Sequence, residues 1–129
     1  MTIWTQFSLI IKPSTLGGVG VFATHAISAG TQVFAGMYSP RKWRIKDIPA
    51  EFVKYCILLN EEECLGPERF DRMEIAWYVN HSDQPNIERR SDNDVIACRD
   101  IQAGDEILLD YNQLHEPEHL KEGYYRRVD

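Results

Sequence analysis

At 129 residues, 43% of them apolar and 26% charged, the chain has the size and balance of one globular domain with a modest core. Its formal net charge of −6 repels phosphate backbones, so direct nucleic-acid binding is not expected and a cationic partner suits it better. No apolar run approaches the roughly 20 residues of a bilayer-spanning helix, so no membrane association is expected.

The opening Met1-Thr2-Ile3-Trp4-Thr5-Gln6 carries no basic stretch, and no secretory signal is expected. Cys56, Cys64 and Cys98 are odd in number and form no CxxC pair. They read as reduced packing residues of an intracellular protein. The expected compartment is cytoplasm or nucleus, or a host cell's interior for a viral protein or secreted effector.

Along the chain, residues 7–12 and 19–23 read as strands. Gly30 then permits a tight turn, and 31–34 continues as a strand. The character changes in the middle. Residues 48–59 space their apolar side chains at helical intervals, with Pro49 suited to a first turn, which predicts a helix. Residues 66–73, from Gly66-Pro67 to Met73, predict a second short helical turn. Strands return at 87–90, at 95–97 and at 107–109, the first two joined by the turn-forming Ser91-Asp92-Asn93-Asp94. A short tail helix is predicted over 117–122, ending at Gly123.

An internal repeat organises these elements. Ala23-Thr24-His25-Ala26-Ile27-Ser28-Ala29-Gly30-Thr31-Gln32-Val33 aligns without gaps to Ala97-Cys98-Arg99-Asp100-Ile101-Gln102-Ala103-Gly104-Asp105-Glu106-Ile107. Ala, Ile, Ala, Gly and a β-branched residue recur at identical offsets. Each copy reads as strand, turn, strand, so the fold class is mostly β, built from short strands.

Three segments carry a sharper signal: Gly18-Val19-Gly20-Val21-Phe22-Ala23, then Asn80-His81-Ser82-Asp83-Gln84-Pro85-Asn86, then Gly104-Asp105-Glu106-Ile107-Leu108-Leu109-Asp110-Tyr111. In type and order they resemble the GxGVFA, NHSxxPN and GEExxxDY signatures of SET-domain lysine methyltransferases. The resemblance runs from about Ile10 to Asn112. It implies a single SET domain over 1–129, with a core of about 10–112, an insert of about 37–76 and a tail of 113–129. The implied architecture is β-clip-like, with short strands in small sheets and a short helical insert.

The resemblance also implies a chemistry: methyl transfer from S-adenosylmethionine to a lysine side chain of a basic protein or peptide, a histone being one such substrate. The acceptor nitrogen must be neutral to attack, and a lysine of pKa near 10.4 is neutral in roughly one molecule in two thousand at pH 7. Burial and the cofactor's sulfonium both lower that pKa, so positioning is the larger task. By the family pattern Tyr111 is the catalytic tyrosine, and Gly18, Val19, Gly20, Asn80 and His81 bind the cofactor. Asn80 would meet its methionine part, while His81 offers backbone bonds at the adenine and a structural side-chain bond. Phe34, Tyr78 and Leu109 would line the substrate channel.

The chain departs from the family at three points. Phe34 stands where a tyrosine is common, which removes a hydroxyl from the acceptor side. Leu109 stands where Phe or Tyr controls how many methyl groups fit. No cysteine follows Cys98, so the zinc-binding tail segment of many relatives is absent and no metal is expected; Tyr124 or Tyr125 is a candidate to close the pocket instead. The first and third points keep a second reading open, a weak or inactive module that binds cofactor or a basic peptide. The short insert and the missing zinc segment leave apolar surface that a homodimer would cover.

His115-Glu116-Pro117-Glu118-His119 matches the HExxH zinc-protease pattern. That chemistry needs both histidines one turn apart on a continuous helix, and Pro117 between them cannot donate its backbone bond. A third ligand is also required, with only His25 and His81 left among the histidines. A metalloprotease is not expected.

Overall fold

A computed structural model describes residues 4–34, 39–91 and 94–125. Among the described residues ten short strands dominate: β1 (Leu9–Pro13), β2 (Val19–Ala23), β3 (Gln32–Val33), β4 (Arg41–Arg44), β5 (Ile57–Leu58), β6 (Glu63–Gly66), β7 (Asn80–His81), β8 (Ile87–Ser91), β9 (Asp94–Ala97) and β10 (Glu106–Leu109). They form three small sheets, ordered β1-β2-β10-β7, β3-β9-β8 and β4-β6-β5. The mostly β expectation holds. No helix among the described residues is long and apolar enough to cross a membrane.

The two repeat copies pair with each other. In one sheet β3 runs antiparallel to β9, with Gln32 opposite Ile96 and Val33 opposite Val95. In another β10 runs antiparallel to β2, with Glu106 opposite Phe22 and Ile107 opposite Val21. Every one of these pairings maps onto its counterpart at the repeat's constant offset. The turns follow the same rule: the Gly30 N–H donates to Ala97 O at 2.7 Å, and the Gly104 N–H to Ala23 O at 2.8 Å. Both glycines adopt left-handed backbone, φ +87° and +90°, which any Cβ would strain. Gln32 Nε2 also donates to Asp94 Oδ1 at 3.5 Å at the open end of its copy.

The inward positions of this double corner make the core. Val21, Ala23, Ile27, Val33, Ile87, Ala97, Ile101 and Ile107 are all 2% exposed or less. Each large one contributes about 1.5–3 kcal/mol by leaving water. Val79 and Leu109 extend this cluster toward the site.

The insert differs from expectation. The helix predicted over 48–59 is a single turn, α1 (Ala50–Val53), with no buried residue. The Tyr55 and Cys56 N–H groups close tight bonds back to Phe52 and Val53, and Ile57 and Leu58 leave to pair with Leu65 and Cys64 of β6. Sheet pairing by a β-branched residue outweighs the helical spacing here. Residues 66–73 form no helix either. Gly66 ends β6 opposite Arg41, and Trp43 Nε1 donates to Pro67 O at 2.8 Å, holding a turn. A 3-10 turn lies instead at Ile75–Tyr78, too short for periodicity to reveal. The tail helix is reduced to a 3-10 turn at Glu118–Leu120, with Pro117 before it.

Candidate active site

The site begins with β7, which runs parallel to β10 and sets Asn80 beside Leu108 and His81 beside Leu109. Asn86, only 4% exposed, fixes this pairing like an extra strand. Its Oδ1 accepts from the Leu108 N–H at 2.8 Å, and its Nδ2 donates to Glu106 O at 2.7 Å. Asp110 then caps a 3-10 turn, Tyr111–Leu114, by accepting from the Asn112 N–H. Tyr111 is thereby delivered to the end of β10, next to His81.

Tyr111 is held at both ends. Its N–H donates to His81 Nδ1 at 3.0 Å, and its hydroxyl donates to Val79 O at 2.6 Å. Because Nδ1 accepts, His81 must keep a lone pair there. Burial holds its pKa below the ordinary histidine value, against the opposing pull of Asp110 and Asp83. Burial, with Tyr124, Glu116 and Glu106 nearby, raises the Tyr111 phenol well above its ordinary value. Tyr111 therefore keeps a neutral hydroxyl, with its proton directed to the Val79 carbonyl.

A cavity of about 560 Å³ lies against Tyr111, within the usual range of small-molecule sites. Gly18, Val19, Phe34, Tyr78, Asn80, Leu109 and Tyr111 all line it, so seven of the residues singled out in the sequence converge on one space. Gly20 and His81, expected with them from the family pattern, are not among the residues that line it. The two glycines of the first segment do different work. Gly18 has φ +58° with open space where a Cβ would point. Gly20 is needed for room, since a Cβ there would overlap Glu106 Oε2 and come within 2.9 Å of Asn80 Nδ2.

On the far wall Phe34 is 7% exposed and has φ +59°, unusual for an aromatic residue, with its ring edge-on to Trp4. Ala35 and Gly36, which follow it, lie outside the described residues. Tyr78 packs against Tyr55 and donates to Met73 Sδ at 3.6 Å. Cys56 also faces the cavity; burial and the adjacent Cys64 push its thiol up to about 12, so it is an apolar wall and no nucleophile.

The tail forms the roof. His115 turns through left-handed backbone, φ +59°, and brings the chain back over Tyr111. Tyr125 is buried there, edge-on to the Tyr111 ring at 5.3 Å, with Tyr124 beside it at the rim. Glu116, 7% exposed, takes the Tyr125 hydroxyl on one oxygen and the Leu58 N–H on the other at 2.7 Å. This carboxylate, noticed in the sequence only inside HExxH, fastens the tail to the insert. His119 lies in the following turn and meets Glu61 instead. Among the described residues no three His, Cys, Asp or Glu side chains gather as a metal site. Sequence reasoning also passed over Glu106 and Ser14 behind Asn80, although Glu106 sits inside the third motif.

The SET domain family matches residues 18–112. The chain is a SET-domain protein. Among solved structures this SET domain resembles a candidate histone methyltransferase of Plasmodium falciparum, at 30% identity and TM-score 0.55, covering 83% of this chain and 95% of that one. It shares its fold with KRYPTONITE, solved with mCHG DNA and SAH, at 22% identity and TM-score 0.58; the match covers 82% of this chain and 24% of that one. A humanized mutant of the Chaetomium thermophilum Polycomb Repressive Complex 2, bound to the inhibitor GSK126, shares it at 21% identity and TM-score 0.57, over 80% of this chain and 14% of that one. No match was found among curated proteins. These relatives lend no support to the expectation, drawn from charge, that nucleic acid is not a partner.

Proposed function

We propose that this SET domain transfers a methyl group from S-adenosylmethionine to the side-chain amine of a lysine in a basic protein, histones being the first class to test. The observation that carries this reading is the convergence of Gly18, Asn80 and Tyr111 on one cavity. The residues present fit the cofactor. Asn80 Oδ1 has no hydrogen-bond partner among the described residues and can accept from an ammonium. Bound there, the cofactor would supply an electrophilic methyl group on a sulfonium.

In this reading the backbone of Gly18 and Val19 and the Asn80 amide hold the methionine end. Tyr111, its proton committed to Val79 O, turns its oxygen lone pairs toward the acceptor and the methyl group. Phe34, Tyr78 and Leu109 give the acceptor a largely apolar approach, which favours the neutral amine. Calorimetric titration with S-adenosylmethionine and S-adenosylhomocysteine, in EDTA, is the first test, followed by transfer of labelled methyl to histones. Failure of both ligands to bind would remove the cofactor reading.

A second reading rests on Phe34, which places no hydroxyl on the far wall: a module that binds without efficient turnover. Phe34→Tyr separates the two. A gain from little or no activity to clear activity would favour the binding module, and efficient turnover by the unaltered protein would exclude it.

A further inference from the structure

Asn80 is an acceptor toward the cavity only while its amide stays in one orientation, and two groups behind it set that orientation. Its Nδ2 donates to Val19 O at 3.0 Å and to Glu106 Oε2 at 2.8 Å. Both partners are pure acceptors, a carbonyl and a carboxylate, so the nitrogen must face them and the oxygen must face away. Glu106 is itself fixed: Ser14 Oγ donates to its two oxygens at 2.9 and 3.1 Å. Ser14 in turn belongs to the loop that presents Gly17 and Gly18, through the Ser14 N–H to Gly18 O bond at 2.9 Å. Gly20 leaves the space in which carboxylate and amide meet. Glu106 does not line the cavity; Asn80, Gly17 and Gly18 do.

We infer that Glu106 is a positioning residue, whose carboxylate locks the Asn80 amide and the Ser14 loop so that Asn80 Oδ1 is presented to an ammonium group. The inference rests on the cofactor reading above and names the part of the ligand that is selected: the amino-acid end, and not the nucleoside. Removing the carboxylate frees the amide to turn and offer N–H groups to an ammonium, which repels them.

The test compares two ligands, S-adenosylhomocysteine and 5′-methylthioadenosine, which keeps the nucleoside and sulfur but lacks the amino-acid end. Glu106→Ala should weaken the first by about tenfold or more, the loss of one charge-assisted hydrogen bond, and leave the second within about twofold. Glu106→Gln, which keeps an acceptor oxygen and most of the packing, should recover much of the loss and guards against misfolding of the alanine variant. Equal loss of both ligands, with a lowered melting temperature, would mean that Glu106 only holds the fold. Unchanged affinity for both would also overturn the inference. If the unaltered protein bound neither ligand, the cofactor reading itself would fall, an outcome distinct from the other two.

Discussion

Ile27 and Ile101 hydrogen-bond each other reciprocally, each N–H donating to the other's carbonyl at 2.8 Å. They occupy the same position in the two repeat copies, and each is 1% exposed. The bridge therefore sits on the local dyad that relates the copies, with Val21, Val33, Val95 and Ile107 paired around it. Ile27→Ala and Ile101→Ala should each cost about 2–5 kcal/mol, and by similar amounts. Urea unfolding of both variants checks this; a large inequality would show that one copy carries the core alone.

Tyr111→Phe should leave cofactor affinity nearly intact while turnover falls by about 10²-fold or more, as for loss of one group that stabilises a transition state. Loss of the bond to Val79 O should also cost about 1 kcal/mol of stability. Calorimetry and a methyl-transfer assay on the same preparation separate the two effects. Undiminished turnover would take Tyr111 out of the chemistry.

Gly18→Ala and Gly20→Ala should fail differently. The first meets no neighbour and should cost about 1–2 kcal/mol for its left-handed backbone. The second drives a methyl group into Glu106 and Asn80, so cofactor affinity should fall more than for Gly18→Ala at comparable stability. The ranking of the two affinities is the readout.

His81 gives stability a pH dependence. Its folded pKa lies below the ordinary value of 6.5, so the fold binds fewer protons than the unfolded chain. Its contribution is fully present above that value and is lost as pH falls through the folded pKa, when protonation of Nδ1 would displace the Tyr111 N–H. Thermal melting between pH 7.5 and about 5 should show this decline, and His81→Gln should flatten it. Turnover should meanwhile rise toward alkaline pH as the acceptor amine deprotonates.

Glu116→Ala should loosen the roof, leaving the Tyr125 hydroxyl and the Leu58 N–H without their acceptor at about 1–3 kcal/mol each. Glu116→Gln should be milder, because an amide oxygen still accepts one of them. EDTA should change neither the melting temperature nor cofactor affinity of the unaltered protein. A fall on chelation would point to a metal in the closure.

Much of the site was legible because it depends on local, ordered motifs. Gly18, Asn80 and Tyr111 lie on short segments that can be read without knowing the fold, and the repeat marked two strand-turn-strand units, though not that β2 would pair with β10 and β3 with β9. The insert was misread because the apolar spacing of 48–59 serves a turn followed by a strand, and only the partner β6 decides between that and a helix. Glu116 was invisible for a related reason. Its partners, Leu58 and Tyr125, come from distant segments, and nothing near it in sequence marks it as a clasp.

The repeat has two matching ends, and they are filled differently. At one of them, Asp94 stands where Gly20 would be and Gln32 where Glu106 would be, and the two side chains meet across the same backbone register. Where one copy leaves room for the Glu106 carboxylate to reach the Asn80 amide, the other fills that position with a carboxylate of its own, which the Gln32 amide meets. The absence of a side chain at Gly20 is what admits Asn80 beside Glu106. An engineer copying that amide clamp into the other copy would begin by replacing Asp94 with glycine and Gln32 with glutamate.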